Sequence, residues 1–200
     1  MLEQLVTDET LMLAVRDGDV AKLGVLFERH HLALFDFLSR TIGDRTAAED
    51  LVQDVFVRIL KYRQTYRDQS CFETWMFRIA RNSRTDHFRK RRSAEPIGDG
   101  AVEIESPGPS PAQQFERGRE ARQLNRALMQ LSDDKRELLV LARYRNMSYD
   151  KIAALLDVEV GAVKVRVHRA MKELREIFLR LVDEDRTWDV KKSGTDLRTI

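Results

Sequence analysis

Residues 148–175, SYDKIAALLDVEVGAVKVRVHRAMKELR, decide how this chain reads. Ser148 is a helix-capping residue whose hydroxyl can accept from an amide of the first turn. Ile152, Leu155 and Leu156 give the short helix that follows a buried face, and Asp157 and Val158 sit at the turn that ends it. Beyond the turn, Val163, Val167, Ala170, Leu174, Phe178 and Leu181 recur at steps of three and four, the spacing of one helical stripe. At about 100° per residue, Val165, His168, Arg169 and Lys172 fall on the opposite face. A short helix, a tight turn and a second helix with an apolar back and a cationic front form the pattern of a helix-turn-helix. The second helix of that device enters the DNA major groove. A basic outer face alone is common in globular proteins; the tight turn and the short preceding helix are what favour DNA.

The net charge of the 200 residues is only +2, but it is unevenly spread. Residues 1–20 hold five acids and one base, whereas residues 21–92 hold fifteen bases against nine acids. Residues 93–116 hold five acids and no Lys or Arg, and residues 117–185 return to fifteen bases and twelve acids. Two cationic blocks flank an anionic stretch, and local charge is what steers association with nucleic acid. All four prolines lie between Ser93 and Pro111, with three of the nine glycines, so this stretch reads as a flexible linker. The remainder is helical by pattern: near 8–17, 19–42, 46–63 and 71–91 before the linker, and near 112–131, 133–145, 148–156 and 159–183 after it. The expected fold is all-α, two small helical domains (1–92 and 114–185) joined by an acidic Pro/Gly linker (93–113). A loosely ordered tail (186–200) follows.

The N-terminal domain has its own basic concentration. Arg78, Arg81, Arg84, Arg89, Lys90, Arg91 and Arg92 fall in fifteen residues with one acid, Asp86. On a wheel, Arg78, Arg81, Asn82, Thr85 and Arg89 oppose Phe72, Trp75, Met76 and Ile79. A solvated face normally mixes signs, whereas this one is nearly all positive. Aromatic residues precede it (Tyr62, Tyr66, Phe72, Trp75, Phe77), and aromatics beside cations can hold unstacked bases. Most of those rings are expected in the core, with one or two left to meet nucleic acid. The segment 46–63 differs: Leu51, Val52, Val55, Phe56 and Ile59 make its stripe, and Glu49, Asp50, Gln53 and Asp54 lie elsewhere with apolar Val57 among them. An acidic face repels DNA and suits a protein partner, with Val57 as a small apolar contact inside a charged rim.

With both domains in view, residues 10–183 resemble a bacterial alternative sigma factor of the extracytoplasmic-function group. AAEDLVQDVFVRILK (47–61) resembles its core-polymerase-binding helix. FETWMFRIARNSRTDHFRKRRS (72–93) resembles its promoter-melting and minus-ten-reading segment, and residues 133–174 resemble its minus-thirty-five-reading domain. The resemblance implies that Asp50, Gln53 and Asp54 meet the clamp helices of the polymerase largest subunit. It implies that Arg78, Arg81 and Asn82 engage the minus-ten element, with Asn82 and the loop 68–72 near a flipped base and Trp75 near the upstream edge of the bubble. Lys164, Arg166, His168 and Arg169 match the recognition helix and its phosphate contacts. There are departures: where the family often has GTVKSRL, Ala162 and Val165 here lack hydroxyls. An outward Val165 could meet a thymine methyl, so the base preference of relatives does not carry over.

The expected partners are therefore core RNA polymerase and promoter DNA, with an anti-sigma factor as a further candidate and a monomer as the free form. A conventional helix-turn-helix repressor or activator explains residues 148–175 but leaves the acidic helix and the 72–92 stripe without purpose. An enzyme would need a nucleophile, metal-ligand or Gly-rich phosphate constellation, and the sequence offers none, so neither catalysis, cofactor nor metal is expected. The single Cys71 excludes a disulfide framework within one chain. There is no bilayer-length apolar run and no basic signal-peptide start. No membrane insertion and a cytoplasmic location are the expectation.

Overall fold

The computed structural model describes residues 6–94 and 111–195, with side chains over 6–91 and 120–185. In chain order the helices are α1 (Asp8–Arg16), α2 (Lys22–Ile42), α3 (Arg45–Tyr62), α4 (Phe72–Ala94), α5 (Pro111–Gln130), α6 (Asp133–Leu139), α7 (Tyr149–Leu156) and α8 (Val160–Thr195). A 3-10 turn, Arg63–Thr65, follows α3, and a π-helical turn, Val140–Tyr144, extends α6. Among the described residues there is no strand, as expected. The flexible-linker expectation falls largely on 95–110, outside the described residues, while α4 and α5 occupy both ends of the span assigned to it. The expected loose tail is instead helical as far as Thr195, because α8 continues beyond residue 185.

The helix starts are written locally. Thr7 accepts from the Thr10 amide, Asp44 from the Ala47 amide and Ser148 from the Lys151 amide, each satisfying an otherwise orphaned donor. α2 stops at Gly43, whose φ of 79° is left-handed and whose N–H returns to Ser39 O. A Cβ at that position would lie 2.6 Å from the terminal methyl of Met129, a flexible group that can shift, so it is the turn that calls for glycine. α7 ends on Asp157 at φ 55°, and the Val158 amide donates to Ala153 O. That left-handed residue swings the chain into α8, producing the turn read from the sequence.

The buried apolar residues of both halves belong to one continuous cluster. Phe37 meets Phe77 edge-on at 5.1 Å between α2 and α4, with Met12, Leu34, Ile59 and Met76 fully buried around them. In the second half Ile152 and Leu155 of α7 pack with Val163, Val167 and Ala170 of α8, the stripe expected from the three-four spacing. Each such large side chain taken from water contributes about 1.5–3 kcal/mol.

The two halves also pack against one another, which the sequence does not announce. Glu137 of α6, only 2% exposed, pairs with Arg84 (Nη2 to Oε2, 2.8 Å) and with Arg81, both on α4. Lys151 of α7 meets Glu73 at 2.6 Å, and the Arg40 guanidinium lies 4.1 Å over the Tyr144 ring. Arg136 is nearly buried and donates to Leu128, Met129 and Leu131 carbonyls at the end of α5 and to Thr41 O at the end of α2. A cation placed over two helix C-termini meets unsatisfied carbonyls and the negative ends of both dipoles.

Candidate nucleic-acid interface

α4 positions the first group of expected site residues. Its buried side (Phe72, Met76, Phe77, Ala80) fixes the helix against α2 and α3, which fixes the direction of the other side. Trp75, Arg78, Asn82 and Thr85 then line one cavity of about 460 Å³ together with Ile79. Its other walls are Arg58 of α3, Tyr62, Thr65 and Asp86, of which only Tyr62 is among the rings singled out from the sequence. Arg81 and Arg89 belong to the same helix but do not line this space: Arg81 turns to Glu137, and Arg89 donates to Asp86 at 3.0 Å.

The rings divide as expected. Tyr66, Phe72 and Phe77 are buried in the core, while Tyr62 and Trp75 reach the cavity. Trp75 stands edge-on to Tyr66 at 5.2 Å, which limits its rotation and leaves part of the indole facing the open space. Burial raises the pKa of the Tyr66 phenol, whose hydroxyl donates to Ser70 O at 2.6 Å and so closes the 66–70 loop.

One end of this cationic helix is covered. The last carbonyls of α7 accept from it: Arg78 Nη2 donates to Ala154 O at 2.9 Å and Arg81 Nη1 reaches Leu155 O at 3.5 Å. Guanidinium groups at a helix C-terminus are electrostatically favourable. Arg84, one of the seven cations between residues 78 and 92, is 6% exposed and committed to Glu137. The hydrogen bond from Lys151 to Glu73 raises the lysine pKa, keeping that bridge charged.

α3 presents the acidic face. Asp50 and Gln53 are exposed, and Val57 is 64% exposed, an isolated aliphatic surrounded by polar neighbours. Asp54 is less free than its position suggests, because its carboxylate holds Arg58 Nε at 2.7 Å one turn on. Arg58 Nη1 in turn reaches Asp86 Oδ2 at 2.7 Å, joining α3 to α4. The hydrogen bond from Arg58 holds the Asp86 carboxyl below its ordinary range, and Asp86 raises the arginine in return.

The second candidate surface is open. Lys164, Val165, Arg166, His168, Arg169 and Lys172 are all exposed along the first turns of α8, opposite the buried Val163, Val167 and Ala170. Val165 is the one exposed aliphatic side chain of this group. The described residues contain no group of three His, Cys, Asp or Glu placed to hold a metal ion, and no helix long and apolar enough to cross a membrane.

Comparison with known proteins places both halves. The family model for Sigma-70 region 2 matches residues 26–94, and that for Sigma-70 region 4 matches residues 121–174. The chain is 32% identical over 165 residues to RNA polymerase sigma factor CarQ of Myxococcus xanthus, covering 82% of this chain and 92% of that protein. It is 31% identical to the ECF RNA polymerase sigma-E factor of Escherichia coli K12, covering 87% and 95% respectively. Among solved structures it is similar to the sigma factor RpoE of Bartonella quintana in complex with the anti-sigma factor NepR. That match has a TM-score of 0.63, with 26% identity over 77% of this chain and 94% of that one. Region 2 carries the cavity and the acidic helix, and region 4 carries the open face of α8. The chain belongs to the extracytoplasmic-function group of the sigma-70 family, whose members direct promoter-specific initiation by RNA polymerase.

Proposed function

We propose that three surfaces divide the work of initiation in this chain. The exposed Asp50–Gln53–Val57 face of α3, with Asp54 behind it, binds core polymerase. The cavity of α4, with Trp75, Arg78, Asn82 and Thr85 on its wall, takes the unpaired minus-ten strand, and Arg81 and Arg89 neutralise its phosphates. The first turns of α8 read the minus-thirty-five duplex: Lys164, Arg166, His168, Arg169 and Lys172 hold phosphates, and Val165 meets a base edge. The observation that carries this division is the cavity, which brings a polar amide, a cation and two rings to one concave place beside a helix of net positive charge. Unpaired bases need that combination of stacking and charge neutralisation. The protein acts in the cytoplasm with its polymerase and carries out no catalysis of its own.

In the described arrangement Arg78 and Arg81 are engaged by α7, so the minus-ten surface is available to DNA only after α6 and α7 move from α4. The α8 face needs no such release. An anti-sigma factor, the partner named for the Bartonella quintana relative, would act by favouring the covered arrangement.

Charge reversal at Asp50 tests the first surface. Asp50 is exposed and carries no fold contact, whereas Asp54 holds Arg58, so Asp50→Lys is the cleaner change. Affinity for core polymerase should fall roughly fivefold to tenfold from like-charge juxtaposition at the interface, with the thermal melt unchanged. Equal recovery of wild type and variant in a core-polymerase pull-down would remove α3 from the interface.

A further inference from the structure

The cavity contains a charge that its proposed task does not want. Asp86 is the one acid between Arg78 and Arg92, and it lies on the cavity lining, where an unpaired strand would bring its phosphates. A bare carboxylate there would oppose the attraction of the surrounding cations.

We infer that Arg58 is a positioning residue for the unpaired strand: it masks Asp86 and pins it toward α3, so that the strand meets the cavity without an opposing negative charge. The inference rests on the proposed reading that this cavity takes the minus-ten strand. The geometry is a chain of four alternating charges. Asp54 Oδ2 holds Arg58 Nε at 2.7 Å, Arg58 Nη1 holds Asp86 Oδ2 at 2.7 Å, and Asp86 Oδ1 accepts from Arg89 Nη2 at 3.0 Å. The network is neutral as a whole, which leaves the charge of Arg78 and of the exposed Lys90 and Arg91 unopposed. Asp54 supplies the aim. Sitting one turn before Arg58 on α3, it fixes the guanidinium so that a second nitrogen points across to α4. Two of the three guanidinium nitrogens are thereby committed to carboxylates, which suits a mask better than a phosphate ligand. The anchor for the mask lies on the helix assigned to polymerase, adjoining Gln53 and one turn from Asp50, so occupation of that face and the charge of the cavity are joined through one side chain.

A charge cycle on the holoenzyme tests this, read as binding to a pre-melted bubble duplex selected from random sequence by the wild-type holoenzyme. Arg58→Ala should weaken binding about fivefold to tenfold at low salt, and the loss should shrink as salt is added. Asp86→Asn should bind at least as well as wild type. The double variant should recover most of the loss, a rescue that a merely structural role for Arg58 would not give. A double variant as weak as Arg58→Ala would overturn the masking role and make Arg58 a direct ligand of the strand. Arg58→Ala binding like wild type would overturn it as well. If Arg58→Ala loses its helical signal, Arg58→Gln, which keeps hydrogen-bond donors without the charge, carries the same cycle. Asn82→Ala separates the two levels. Binding unchanged by Asn82→Ala refutes occupation of the cavity, and with it this inference; binding lost in Asn82→Ala without the Arg58 pattern refutes the mask alone.

Discussion

Replacing Glu137 with alanine should part the two halves of the molecule. Glu137 is almost fully buried and is the shared partner of Arg81 and Arg84. Its removal leaves the Arg84 guanidinium, itself nearly buried, without an opposing charge, and breaking a buried pair in this way costs about 3–5 kcal/mol. The protein need not bear the whole cost. Once the unpaired cation costs more than docking contributes, α6 and α7 leave α4 and Arg84 returns to water. Small-angle scattering should therefore show a larger radius of gyration while the helical signal persists, and denaturant unfolding should begin earlier. Glu137→Gln keeps the volume and an acceptor for Arg84, so it should give a smaller change in the same direction. A Glu137→Ala protein with wild-type dimensions and an unshifted unfolding midpoint would mean that this contact does not hold the halves together.

Arg136→Leu should be the most destabilising single change in the second half. Burial lowers the pKa of this guanidinium, yet it donates to four backbone carbonyls, three closing α5 and one at the end of α2. Leucine fills much of the same space and donates to none of them; of the four, Leu128 O alone is also bonded to the Leu131 amide, at 3.1 Å, and keeps that bond. Each carbonyl left buried without a donor costs about 1–3 kcal/mol, and partial access of water should hold the total near 3–5 kcal/mol by chemical denaturation. Arg136→Lys retains the charge but not the planar fork, so it should restore only part of the loss. The two substitutions report on different things: Glu137 concerns docking alone, whereas Arg136 concerns docking and the integrity of α5. Intact stability in Arg136→Leu would show that water replaces the guanidinium at all four carbonyls.

The helices were legible because their signals are local. The Val163–Val167–Ala170–Leu174 stripe, the Ser148 cap and the turn at Asp157 are all contained within a few residues, and the structure has them where the sequence put them. Arg78, Asn82 and Thr85 were legible for the same reason, being one face of one helix, whereas the wheel set Trp75 and Ile79 on the opposite face and the structure brings both to the same cavity. What was hidden depends on residues far apart in the chain. Glu137 sits in DDKREL, which reads as an ordinary acidic helix start, and its partner Arg84 is 53 positions away. Nothing in either segment marks a buried ion pair. The opposite wall of the cavity was hidden likewise: the Asp54–Arg58 pair at i, i+4 is visible in the sequence, but the approach of Asp86, 28 positions from Arg58, is a product of how α3 meets α4. Arg81 was read as part of the outward face, yet it turns to Glu137, because a run of cations gives no sign of which member meets a neighbouring helix.

Permanganate mapping of open promoter DNA tests the central assignment most directly. Core polymerase and the wild-type chain, on a promoter recovered by that holoenzyme, should make thymines reactive that neither component exposes alone. Asn82→Ala should bind the same duplex with its reactivity reduced, since the α8 face is untouched. Wild-type holoenzyme that binds the promoter but leaves every thymine unreactive, or an Asn82→Ala holoenzyme that opens the duplex as fully as wild type, would contradict the role given to the α4 cavity.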